Sequence, residues 1–161
     1  FFARHPVFNY DPSFPIIDEF HRMSETLNWK DKTRQKKMRQ LRGVMVVQFN
    51  EYYGTEVGDV EAWRAMCGVL GVWPVPETLK KCRTLVKRQF VNLVDYVEAK
   101  KSGTRVQRFR SLKELSEYTY GGGKGRTNRV FPKDDAKAGG VLKYLLRKVS
   151  VFRPPDSVVR G

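Results

Sequence analysis

The chain of 161 residues carries 31 Lys and Arg against 17 Asp and Glu, a formal net charge of +14 at neutral pH. Its length fits one domain and its 40% apolar share is enough for a core, which excludes wholesale disorder. Two cysteines, Cys67 and Cys82, are too few for a secreted disulfide scaffold and read as reduced, intracellular thiols. The longest apolar runs, such as Val44–Val47, are too short to span a bilayer.

The chain opens Phe1-Phe2-Ala3-Arg4, without an initiator Met or the layout of a signal peptide, as a segment of a longer protein would. Residues 1–12, with two prolines and scattered rings, predict an extended arm packed by its aromatics. A first helix is predicted over Ser13–Leu27, capped by Ser13 and opened by Pro15, with Ile16, Phe20, Met23 and Leu27 on one stripe. The second runs from Asp31 to Tyr53, where Met38, Leu41, Met45, Phe49 and Tyr52 keep the helical period and Gly54 takes a left-handed C-cap. Its first half is charged and its second half apolar. A third helix spans Asp59–Leu70, capped by Asp59 and stopped by Gly71, and Val72–Pro76 reads as a packed connector. Glu77–Lys101 is helical, as one long helix or as two pieces broken near Gln89–Asn92.

Beyond Gly103 the pattern changes. Thr104–Phe109 alternates as a short strand does, and Ser111-Leu112-Lys113-Glu114 is a capping box that starts a short helix. Tyr118–Phe131, with Gly121–Gly123 and Gly125, reads as a hairpin with a glycine tip or as a long loop. A last helix is predicted over Asp134–Val149, with the Asp134-Asp135 pair at its start and Val141, Leu142, Leu145, Leu146 and Val149 inside. The fold class is therefore mainly α: a compact bundle of five to seven helices, with one small β-hairpin in the C-terminal half as an option. Residues 1–152 form a single basic helical domain and 153–161 a tail.

Phe8-Asn9-Tyr10, Glu19-Phe20, Asn28-Trp29, Gln48-Phe49-Asn50, Tyr53-Gly54-Thr55 and Trp63 with Cys67 give the Asp11–Trp73 portion a resemblance to a helical module of uncharacterised fungal proteins. The resemblance implies a eukaryotic source and supplies no catalytic residues to carry over.

The charge excess is uneven. Residues 1–27 and 55–75 are net acidic, whereas 28–54 and everything after 76 are net basic, an asymmetry that favours an anionic partner. One cluster is Lys30, Lys32, Arg34, Lys36, Lys37, Arg39 and Arg42, which wrap around most of the second helix's start. Cations crowded there repel one another and oppose the helix dipole, which predicts an exposed end that becomes better ordered when an anion docks. The plainer reading is a solvated helix face with lysine stems lying on apolar surface. A second cluster joins Arg105, Arg108, Arg110 and Lys113 to Lys124, Arg126 and Arg129 in or beside the glycine loop, where a bare backbone and forked donors suit phosphate. An ordinary mobile surface loop explains the same residues. Tyr118 and Tyr120 beside that loop, and Tyr52-Tyr53, are candidates for base stacking or, more plainly, core rings.

Other chemistry is not written in the chain. There is no Walker A or GxGxxG motif, no RNA-reading signature and no heptad zipper. His5 and His21 lie far from both cysteines at no metal-ligand spacing, and no triad signature surrounds either. The sequence thus predicts a noncatalytic nuclear module with no metal and no cofactor. It binds nucleic acid, DNA favoured over RNA, in a chromatin or chromosomal setting, through phosphate contacts from two basic surfaces. The rival is a protein-interaction module that docks an acidic segment or another subunit, which exposed Trp29, Trp73 or Phe1-Phe2 would favour. A membrane is not an expected partner, because no basic helix carries exposed aromatics on its other face.

Overall fold

A computed structural model describes residues 1–120, 129–131 and 139–149, with side chains described up to Leu145. Among these residues lie a short 3-10 turn, Phe2–Arg4, and seven α-helices. They are α1 (Ile16–Thr26), α2 (Asp31–Tyr53), α3 (Val60–Val69), α4 (Leu79–Arg88), α5 (Leu93–Ser102), α6 (Leu112–Tyr120) and α7 (Gly140–Val149). The mainly α bundle is as the sequence predicts.

The apolar second half of α2 is the centre of the bundle. Leu41, Met45, Val46, Phe49 and Tyr53 are buried, and α3, α5 and α7 pack against the helix. The Tyr53 hydroxyl donates to the Tyr96 carbonyl at 2.8 Å, so the ring can be buried with its polar end satisfied. Gly54 ends α2 at φ 73°, but its ψ of 178° is extended. The expected left-handed cap is therefore a different positive-φ conformation, still one that suits glycine.

Helix α1 starts later than expected. Pro15 is the N-cap with ψ 136°, and a proline keeps the residue before it out of the helical region. Ser13 instead closes a turn on the Asp11 carboxylate, and the first free N–H of α1, on Ile16, donates to Glu98 of α5. The arm packs by its rings, as expected: Phe2 stacks on Tyr10 at 4.2 Å and Phe1 lies 6.0 Å from Phe20. Buried Glu19 fixes the end of the arm, accepting from the Asp11 N–H at 2.8 Å while Arg22 donates to both of its oxygens at 2.7 Å.

Asp59 caps α3 through the Glu61 N–H, and the 79–102 region is two helices, not one. Asn92 makes the break: its side-chain oxygen caps α5 through the Val94 N–H, and its amide donates to Thr119 and to the Arg129 carbonyl. The expected strand at Thr104–Phe109 is reduced to one antiparallel bridge, Phe90 to Phe109, because the chain between α4 and α5 is too short to offer more. Ser111 accepts from the Glu114 N–H as the capping box requires, although Glu114 reaches back to the Arg110 N–H. Tyr118 and Tyr120 belong to α6, so among the described residues no hairpin arm forms there. Gly121–Asn128, Asp134-Asp135 and the 153–161 tail lie outside the described residues.

Helix α7 docks by backbone proximity. The Gly139 N–H donates to the Asn50 side chain at 3.1 Å and the Val141 N–H to the Thr55 carbonyl at 3.3 Å. A Cβ on Gly140 would stand 2.7 Å from that carbonyl. Val141, Leu142 and Leu145 are buried as expected, and the Tyr144 ring meets Trp63 edge-on.

Candidate anion-binding surface on α2

The first half of α2 sorts its cations by helical angle. Lys32, Lys36 and Arg39 fall within a narrow sector at spacings of four and three, and all three are exposed. They form one row about 10 Å long at the helical rise. Arg34, Met38 and Arg42 fall on the flank that faces α1. Lys37 is turned the other way: its ammonium lies 3.5 Å from the His5 ring and 5.8 Å from the centre of Trp29, which fastens the arm to the helix. Six of the seven cations of the first cluster are therefore divided among an exposed row, a groove and an arm contact. Lys30 is exposed at the N-cap and makes no side-chain capping bond.

The groove between α1 and α2 has a volume of about 450 Å³ and is lined by Phe20, His21, Arg34, Gln35, Met38, Arg39 and Arg42. Two of its nitrogens, His21 Nε2 and Arg42 Nε, are buried without a hydrogen-bond partner. Burial pulls the Arg42 guanidinium below its ordinary value, with no charged neighbour opposing it. His21 is also held low, first by burial and then by Arg34, against the weaker opposite pull of Asp18 and Glu25. Arg34 is paired with Asp31, the acid in the first turn of α2. An orphaned buried donor such as Arg42 Nε costs about 1–3 kcal/mol, more when charged, whereas His21 Nε2 is a donor only in the tautomer that carries its proton there. Phe20 and Met38 add apolar surface to the same groove.

The second cluster does not assemble in this way. Arg105, Arg108 and Arg110 are exposed on the segment before α6, and Lys113 on α6 lies 4.0 Å from Glu117. Arg129 faces inward: its side chain is 14% exposed and its guanidinium lies 3.2 Å from Asp95, 3.5 Å from Glu98 and 3.8 Å from Asp18. It also lies over Tyr118 at 5.3 Å, and the Tyr118 hydroxyl donates to Asp95 at 3.2 Å. Burial opposes the Arg129 charge, but Tyr118 and the three carboxylates outweigh it and hold the guanidinium above its usual value. Burial raises Asp95 and Glu98 despite Arg129. The sequence counts Arg129 as a phosphate contact; the structure gives its charge to three acids. Lys124 and Arg126 lie outside the described residues.

His21 and Gln35 are the site residues that sequence reasoning missed. His21 lies off the apolar stripe of α1, which signals contact with a neighbouring helix and does not say which one.

Among the described residues no His, Cys, Asp and Glu group could hold a metal ion, and no helix is long and apolar enough to cross a membrane. Cys67 and Cys82 are free and buried between α3 and α4, and burial, with Cys82 beside it, pushes the Cys67 thiol up to about 12. Comparison with protein families, with curated proteins and with solved structures finds no match to this chain. The likeness read at Asp11–Trp73 therefore carries no family assignment.

Proposed function

We propose that this chain is a noncatalytic nucleic-acid-binding module that neutralises phosphates along α2, with DNA in a nuclear, chromosomal setting as its partner. One observation carries the reading: the exposed row Lys32–Lys36–Arg39 runs into a groove whose Arg42 and His21 nitrogens are buried and unpartnered. Solvated lysines alone would account for the row, but not for two orphaned nitrogens behind it. The choice of DNA rests on the missing RNA-reading signature.

Fluorescence anisotropy with a short duplex tests the proposal. Contacts from Lys32, Lys36, Arg39 and Arg42 give a slope of log affinity on log salt near −3.6, roughly a hundredfold loss between 50 and 200 mM salt. Charge reversal at Lys32, Lys36 and Arg39 removes most of that slope and leaves the fold intact, since all three side chains are exposed. Absence of binding at low salt overturns the reading, and so does binding that the reversal leaves unchanged.

A second reading has its own observation. Trp73 is 89% exposed on the connector between α3 and α4, as an anchor for a protein partner would be. If Trp73→Ala removes binding to an acidic peptide while charge reversal on α2 leaves it intact, the protein-interaction reading leads.

A further inference from the structure

We infer that the α1–α2 groove receives one terminal phosphate monoester, so that the module binds the phosphorylated end of a DNA strand whose next phosphates lie along the exposed row. The inference rests on the DNA-binding reading above and specifies which part of the polyanion occupies which part of the surface.

The argument is one of charge and donors. A backbone phosphodiester has a single charge shared by two free oxygens. A terminal monoester carries about −1.5 to −2 at neutral pH and offers three strong acceptor oxygens. In the groove, Arg34 is already matched by Asp31, whereas Arg39 and Arg42 have no carboxylate partner among the described residues. Two uncompensated guanidinium groups match a dianion, and one diester would leave half their charge unanswered. Arg39, Arg42 and Gln35 line the wall and carry side-chain N–H donors, while Arg42 Nε and His21 Nε2, closed off from solvent, have no partner behind them. The groove, about 450 Å³, is large enough for a tetrahedral oxyanion with its bridging oxygen. Arg39 belongs both to the groove and to the row, so a chain end anchored at Arg42 continues onto Lys36 and Lys32.

The experiment compares one short DNA duplex with 5′-phosphate, 3′-phosphate or only hydroxyl ends, titrated against the whole chain by fluorescence anisotropy. A phosphorylated end of one polarity binds about tenfold tighter than the hydroxyl duplex, the size expected of added charge-assisted hydrogen bonds. Arg42→Gln, or Arg39→Gln where a more exposed change is wanted, abolishes that preference. Charge reversal at Lys32 and Lys36 weakens all three duplexes by the same factor and keeps the preference. Equal affinities for all three duplexes overturn the inference and leave DNA binding standing. If no duplex binds at low salt, the DNA reading falls, and the groove is then tested with inorganic phosphate followed by the NMR signals of the His21 ring. A shift that Arg42→Gln removes retains the monoester site. Absence of a shift ends it.

Discussion

Arg129 and Arg42 are the same side chain in opposite circumstances. Arg129 is enclosed by Asp18, Asp95 and Glu98, while Arg42 has a buried nitrogen with no partner at all. Removing Arg129 leaves carboxylates buried without their cation, so Arg129→Gln costs about 3–5 kcal/mol at pH 7. The sign of its pH dependence follows from the raised Asp95 and Glu98. Without the guanidinium both rise further above their unfolded-state values, so each binds its proton more readily folded than unfolded. The penalty is therefore full at neutral pH and shrinks as pH falls through those raised folded-state values. Urea unfolding of both proteins at pH 7 and near pH 5 checks this, and equal penalties at the two pH values contradict it. The same comparison shows why a sum of charges misleads. The basic segment containing Arg129 is legible in the sequence, but its three acids come from far upstream and only folding brings them together. Nothing in the spacing of Arg42 separates it from its neighbours either; the absence of a partner is a property of the packed groove.

At the scale of elements, legibility follows how local the determinants are. Helix α2 is bounded by residues within its own segment, and the sequence places it at Asp31–Tyr53 without error. The start of α1 shifts because Pro15 acts on its predecessor, a rule readable in the chain but outweighed there by the appeal of Ser13 as a cap. The strand at Thr104–Phe109 fails because alternation describes a face and says nothing about whether a partner exists. The docking of α7 is the least local of all. A Cβ on Gly140 would meet the Thr55 carbonyl and the Val57 side chain at 2.7 Å, so Gly140→Ala pushes α7 off its seat and costs about 1–3 kcal/mol. Gly68, inside α3 with nothing within 4 Å of an added Cβ, is the control. Gly68→Ala stabilises by about 0.5–1 kcal/mol, since alanine is the better helix former. Denaturant melts of the two variants should move in opposite directions, and a shared direction would mean that the Gly140 contact is not a constraint.

For the molecule as a whole, α2 joins a fixed end to an available one. Its second half is covered by α3, α5 and α7, and its first half presents the row and the groove. Native-state hydrogen exchange should show the amides of Val46–Tyr53 among the slowest in the protein, with Lys32–Arg39 opening more easily. Addition of phosphorylated duplex should slow exchange at Lys32–Arg39 and along the facing part of α1, and leave Val46–Tyr53 unchanged. Protection confined to the connector around Trp73 would point instead to the protein-interaction surface.

The order in which α2 acquires its neighbours also matters while the chain is being made. Synthesis proceeds from the N-terminus, and two of the helices that cover α2 are α5 and α7, the latter beginning at Gly140. A nascent chain that has left the ribosome only as far as α4 holds Met45, Phe49 and Tyr53 with much of their cover still unmade. Its basic half is already complete at that stage. The newborn protein thus has a complete basic helix segment before it has a finished interior, a stage at which the still uncovered apolar half of α2 is the part most open to aggregation.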